Sequence, residues 1–108
     1  MSTDKTLVIA IGRNIGNLPM RARRWNAFKN SLQGVASEYG KIVSRARGTG
    51  VYEGVLEQTY VLIVSAPTDE FGNVNLVGIK TYLRALAEAY EQESIALVVG
   101  HTTFVGKE

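Results

Sequence analysis

An α+β layout of two helices on a four-stranded antiparallel sheet is predicted for this 108-residue chain, and three features of the sequence predict it. Two apolar stripes at three-four spacing mark two helices. Four stretches with period-two apolar residues mark strands. Turn-rich segments of Gly, Asn and Pro separate them in the order strand, helix, strand, strand, helix, strand. Two right-handed crossovers in that order place both helices on one face of the sheet, which is the ferredoxin-like sandwich. The whole chain is expected to form one such domain.

The first strand covers residues 6–12. Leu7, Ile9 and Ile11 point one way and Val8 and Ala10 the other. Apolar residues on both sides mark a central strand. A loop with two glycines, two asparagines and Pro19 follows, and Pro19 suits the first turn of a helix. The first helix is predicted over residues 20–39, with Trp25, Phe28, Leu32, Val35 and Tyr39 on its buried stripe and Gly40 as a left-handed stop. The second strand begins at Lys41. Its charges mark it as an edge, and Gly48-Thr49-Gly50 is expected to interrupt it. Tyr52-Glu53-Gly54 reads as a hairpin, and the third strand covers residues 56–64. The second helix is predicted over residues 75–92, with Asn75 as its cap and Leu76, Ile79, Leu83, Leu86 and Tyr90 as its stripe. The last strand runs over residues 94–105.

Helices cover only one face of this sheet, yet several strands are apolar on both. A greasy open face needs a cover. A homodimer formed through that face is therefore expected.

Composition narrows the function classes. At 45% hydrophobic and 20% charged residues the chain is globular, not disordered. The absence of cysteine excludes disulfides, thiolate zinc sites and cysteine nucleophiles, and suits a reducing compartment. The apolar run 7–11 is too short for a secretion signal or a membrane span. A cytoplasmic location, in a bacterium or an infected host cell, and no membrane association are expected. Net charge is +2. Its distribution is uneven: Arg13, Arg21, Arg23, Arg24, Lys29, Lys41, Arg45 and Arg47 crowd the first half, and Asp69, Glu70, Glu88, Glu91 and Glu93 lie in the second. Such asymmetry permits an anionic partner.

No catalytic motif stands out. His101 is the lone histidine and has no nucleophile or carboxylate tied to it by spacing, so a polar strand-end residue is the favoured reading. Glu53 and Glu57 flank the hairpin. Gln92-Glu93-Ser94 closes the second helix, and the sheet topology offers a place for it near His101. The loop Gly12-Arg13-Asn14-Ile15-Gly16 is neither a dinucleotide fingerprint nor a P-loop. Its amides and Arg13 suit an anion, although a plain connection is preferred. Arg21, Arg23 and Arg24 oppose the dipole at the start of the first helix, and Arg24 becomes a candidate phosphate contact. Trp25 is core by default, with a pocket edge as the second reading. Nothing has metal-ligand spacing, and no cofactor is expected. The candidate ligand-binding residues are Arg13, Asn14, Arg24, Trp25, Glu57, Gln92 and His101.

Five segments carry a resemblance. They are Ile11-Gly12-Arg13-Asn14-Ile15-Gly16, Trp25-Asn26-Ala27-Phe28, Arg47-Gly48-Thr49-Gly50-Val51-Tyr52-Glu53-Gly54, Glu57, and Tyr90-Glu91-Gln92-Glu93-Ser94-Ile95. Together they resemble small bacterial and bacteriophage proteins. The resemblance implies a ferredoxin-like fold and brings no activity. The function expected at this point is a non-catalytic dimeric binding module, a phage accessory protein that holds a host protein or a small anionic ligand. The alternatives are a dimeric α+β barrel enzyme acting on haem or a quinol, lined by Asn14, Trp25 and His101, and nucleic-acid binding through the basic first helix. The last is not favoured, because the sheet lacks the stacking aromatics of an RNA-binding face.

Overall fold

The computed structural model describes residues 4–101 and residue 106, with the side chains of Tyr52 and His101 outside that description. Strand β1 (Lys5–Gly12) leads into a tight loop whose short strands β2 (Asn14–Ile15) and β3 (Leu18–Pro19) pair with each other. Helix α1 (Ala22–Tyr39), strands β4 (Lys41–Tyr52) and β5 (Val55–Ala66), helix α2 (Leu76–Ala89) and strand β6 (Ala96–His101) follow. The four long strands form one antiparallel sheet in the order β4-β5-β1-β6. This α+β layout agrees with the sequence expectation, and its strand order is compatible with a ferredoxin-like sandwich.

Side-chain alternation explains the core. Leu7, Ile9 and Ile11 of β1 and Tyr60, Leu62 and Val64 of β5 face the helices and are buried. They meet Trp25, Phe28, Leu32 and Ala36 from α1 and Ile79, Leu83 and Leu86 from α2 in one cluster. Phe28 is fully buried and stacks on Tyr90 with ring centroids 4.6 Å apart. Asn75 caps α2 as expected, its side chain accepting from the Gly78 amide at 3.0 Å.

Three local expectations need correction. Pro19 pairs with Asn14 in the β2–β3 loop and does not open the helix. Gly48 and Gly50 do not interrupt β4: register runs unbroken from Ser44 to Tyr52, and the irregularity falls earlier, between Ile42 and Ser44. Gly40 is extended, not left-handed. Its lack of a side chain matters because a Cβ there would meet the Ser65 carbonyl at 2.4 Å.

Among the described residues no helix covers the opposite face of the sheet. Register places Val8, Ala10, Val61, Ile63, Ala96 and Val98 there, and Val98 is 58% exposed. Among the described residues no helix is long and apolar enough to cross a membrane.

Candidate active site

At the Gly12 end of the open face, three loops converge: the loop after β1, the β4–β5 hairpin, and the turn between α2 and β6. They enclose a cleft of about 150 Å³ that includes Gly12, Asn14, Glu53, Glu57, Glu91, Gln92 and Glu93 in its lining. Among the described residues that line it, four are glutamates and none is a cation. Among the described residues, no three acidic or imidazole groups are arranged to hold a metal ion.

Glu57 sits at the centre. Strand alternation points it to the open face, opposite Gly50 across the β4–β5 ladder. The Asn14 amide donates to its Oε2 at 3.0 Å. The carboxylate lies so close over Gly12 that a Cβ there would be 2.3 Å from Oε1. The hairpin and the loop after β1 are further joined by the Asn14 side-chain amide, which donates to the Leu56 carbonyl at 3.4 Å. Gln92 closes the third side. Its Nε2 donates to the Asn14 carbonyl at 3.0 Å and to the Tyr90 carbonyl at 3.3 Å.

Two other glutamates reach the cleft from strained backbone. Glu53 (φ 49°) and Glu91 (φ 55°) are the two non-glycine residues in the left-handed region among the described residues, and both line this cleft. A side chain in that region costs about 1–2 kcal/mol, and such outliers gather at functional sites. Glu53 precedes Gly54 (φ 79°) in the two-residue hairpin turn, where Asn-Gly is the favoured pair. Glu53→Asn is therefore expected to stabilise the fold by about 0.5–1 kcal/mol while removing a cleft charge. Denaturant unfolding checks the stability gain; a destabilised variant would show that Glu53 is held by contacts stronger than its strain.

The sequence-predicted residues divide into separate places. Asn14, Glu57 and Gln92 meet in the cleft. Arg24 stands at its rim, paired with Glu91 at 3.0 Å, donating to the Ala89 carbonyl at 3.3 Å and lying 5.8 Å from the Tyr90 ring centre. It neutralises an acid and so is not a free phosphate contact. Arg13 turns to the helix side, donating to the Met20 carbonyl and to Gln58 Oε1, both at 2.7 Å. Trp25 is core, edge-on to Phe28. The His101 side chain lies outside the described residues, but its backbone pairs with Lys5 at the far end of β1. That is roughly 23 Å from Gly12 at about 3.3 Å per residue. Gln92-Glu93-Ser94 and His101 therefore sit at opposite ends of β6, and Asn14, Trp25 and His101 do not share a pocket. This removes the lining expected for a haem or quinol site.

Sequence reading missed Glu91 as a site residue and missed the convergence of the four acids. The charge tally pointed to an anionic ligand, whereas the cleft that gathers three of the predicted residues is acidic. The usable signal was a carboxylate at each of two turns, which only the sheet order brings together.

The chain matches no protein-family model and no curated protein sequence. Its fold is similar to two solved structures. One is a phage SAM lyase in complex with S-methyl-5'-thioadenosine, with a TM-score of 0.59 and 18% identity, covering 94% of this chain and 83% of that one. The other is a phage SAM lyase in the apo state, with a TM-score of 0.54 and 16% identity, covering 96% of this chain and 94% of that one. At such identity the likeness is one of fold. It still corrects the expected function. Both of these structures are of an enzyme, a finding that contradicts the expected reading as a non-catalytic binding module. Among the cations of the basic first helix, Arg24 is paired with Glu91, and the Lys29 ammonium lies over the Trp25 and Tyr60 rings, 5.6 Å from each centre.

Proposed function

We propose that this chain is a lyase that binds S-adenosylmethionine in the acidic cleft and releases S-methyl-5'-thioadenosine. The observation that carries this reading is the cleft itself: four glutamates, two of them on strained backbone, on a fold like that of SAM lyases. S-adenosylmethionine presents a sulfonium and an ammonium, and clustered carboxylates favour such a ligand over its neutral thioether counterpart.

The chemistry follows from the product. Release of the methylthio-nucleoside breaks the bond between sulfur and the γ-carbon of the methionine arm. The electron pair of that bond goes to sulfur and cancels its positive charge. Without water, the γ-carbon needs another nucleophile, and the substrate's own carboxylate closes on it to give a five-membered lactone. No proton is transferred in that step. The chain's task is to hold the arm folded for ring closure, which is a positioning effect, and to keep the ammonium engaged by a fixed carboxylate. Glu57 is the candidate for that role, since Asn14 fixes its Oε2. Incubation with S-adenosylmethionine should yield S-methyl-5'-thioadenosine and the four-carbon lactone in equal amounts by mass spectrometry. S-adenosylhomocysteine, which lacks the sulfonium charge, should remain intact. Absence of the nucleoside product would remove the reading.

The same reading extends to assembly and location. The cleft is smaller than the roughly 300 Å³ at which small-molecule pockets usually begin, and it opens at the end of the uncovered sheet face. A second copy packed on that face both hides Val98 and its apolar neighbours and deepens the cleft. Light scattering should give a mass of at least twice the 11.8 kDa of the chain. Val98→Glu should shift the protein towards monomer, because an unpaired buried charge is costly; a wild-type monomer at micromolar concentration would exclude this cover. The substrate proposed fits a cytoplasmic enzyme of a bacterium or an infected cell.

A further inference from the structure

A second cleft lies on the other side of the same strand ends, between α1 and the β4–β5 edge. It has a volume of about 440 Å³, within the usual range for small-molecule sites. Its charge is the reverse of the first. Arg13, Lys29 and Arg47 line it, and among the described residues no carboxylate does. The cations are arranged beforehand. Arg13 is fixed by the Met20 carbonyl and Gln58 Oε1, both at 2.7 Å, which leaves part of its guanidinium fork uncommitted. The Lys29 ammonium is held over Trp25 and Tyr60, 5.6 Å from each ring centre. Neither ring supplies the hydrogen-bond acceptors that an ammonium takes from an anion.

We propose that this cleft binds a small anion carrying two or more phosphates, such as the polyphosphate arm of a nucleotide, with Arg13, Lys29 and Arg47 as its ligands. Three cations around one concavity match a multiply charged anion better than a monoanion, and guanidinium forks suit phosphate oxygens. The two clefts lie back to back: Arg13 and Gln58 serve the basic one, and their chain neighbours Asn14 and Glu57 serve the acidic one. The basic site does not depend on the lyase reading.

Calorimetry in about 50 mM salt with inorganic tripolyphosphate tests it. One site per chain is expected. Arg47→Glu, at an exposed strand position, should weaken binding about ten- to a hundredfold or more, as loss of a charged hydrogen bond does. Arg23→Glu carries the same charge change on the exposed surface of α1, outside the cleft, and should change binding by less than about threefold. Unchanged melting temperatures would establish that both variants fold. A nucleoside triphosphate binding more tightly than tripolyphosphate would assign the nucleotide as the source, and equal affinity would assign phosphate alone; both support the site. No binding by the wild type, or equal weakening by the two variants, would overturn it. So would a single-stranded oligonucleotide that binds more tightly than tripolyphosphate and is weakened equally by both substitutions, since that marks a diffuse nucleic-acid face.

Discussion

Glu57→Gln should lower release of S-methyl-5'-thioadenosine by at least about 10²-fold, because the ammonium loses its fixed carboxylate and the methionine arm is no longer held for ring closure. The substitution is close to isosteric. A glutamine oxygen still accepts from the Asn14 amide that now donates to Glu57 at 3.0 Å, so the loop after β1 keeps its anchor and stability should change by less than about 1 kcal/mol. What disappears is the negative charge. Steady-state rates on the purified variant, set beside its melting curve, separate the two effects. A variant that turns over at the wild-type rate would take Glu57 out of the reaction.

Gly12→Ala should come second, with a loss of about 10²-fold in a protein that folds normally. The reasoning is geometric. Gly12 is not in the left-handed region, so alanine accepts its backbone without strain and even gains about 0.4–1 kcal/mol by restricting the unfolded chain. The new Cβ would nevertheless stand 2.3–2.6 Å from the carboxylate atoms of Glu57. The end of a side chain moves more readily than a central strand, so the carboxylate swings away. A misplacement of about 1 Å costs about 10²-fold when catalysis rests on positioning. Adding Glu57→Gln to Gly12→Ala should then cost little more, because both remove the same contact. Full additivity of the two losses, or a Gly12→Ala enzyme with wild-type activity, would contradict the placement of Glu57 over Gly12.

Most of the fold was legible, and for a physical reason. Helical stripes and strand alternation are local, and each is enforced by burial: Phe28, Leu32, Ile79 and Leu83 lie in the core their spacing assigns them. The errors fell where local chemistry has more than one solution. Pro19 suits a helix start and a short loop strand equally, and the loop pairing with Asn14 decided it. Gly48 and Gly50 look like a break but pack against Thr59 in an unbroken ladder.

The site was legible only in part. Asn14, Glu57 and Gln92 were picked out separately, and the structure brings them together. What joins them is β1 lying between β5 and β6, a non-local fact absent from any window of sequence. The same gap explains the wrong ligand charge. Counting cations along the chain favours an anion, but alternation sends Arg13, Arg45 and Arg47 to the helix side and Glu57 to the open face, where the turns bring Glu53, Glu91 and Glu93 beside it. Charge in sequence is a sum, and a site depends on the side to which each charge points.

Amide chemical-shift mapping with S-methyl-5'-thioadenosine, the stable product, tests the central claim most directly. The expected shifts cluster at Gly12, Asn14, Glu57 and Gln92, with Thr49 and Lys29 in the basic cleft unmoved. Shifts confined to the basic cleft, or none at millimolar ligand, would contradict the placement of the reaction in the acidic cleft.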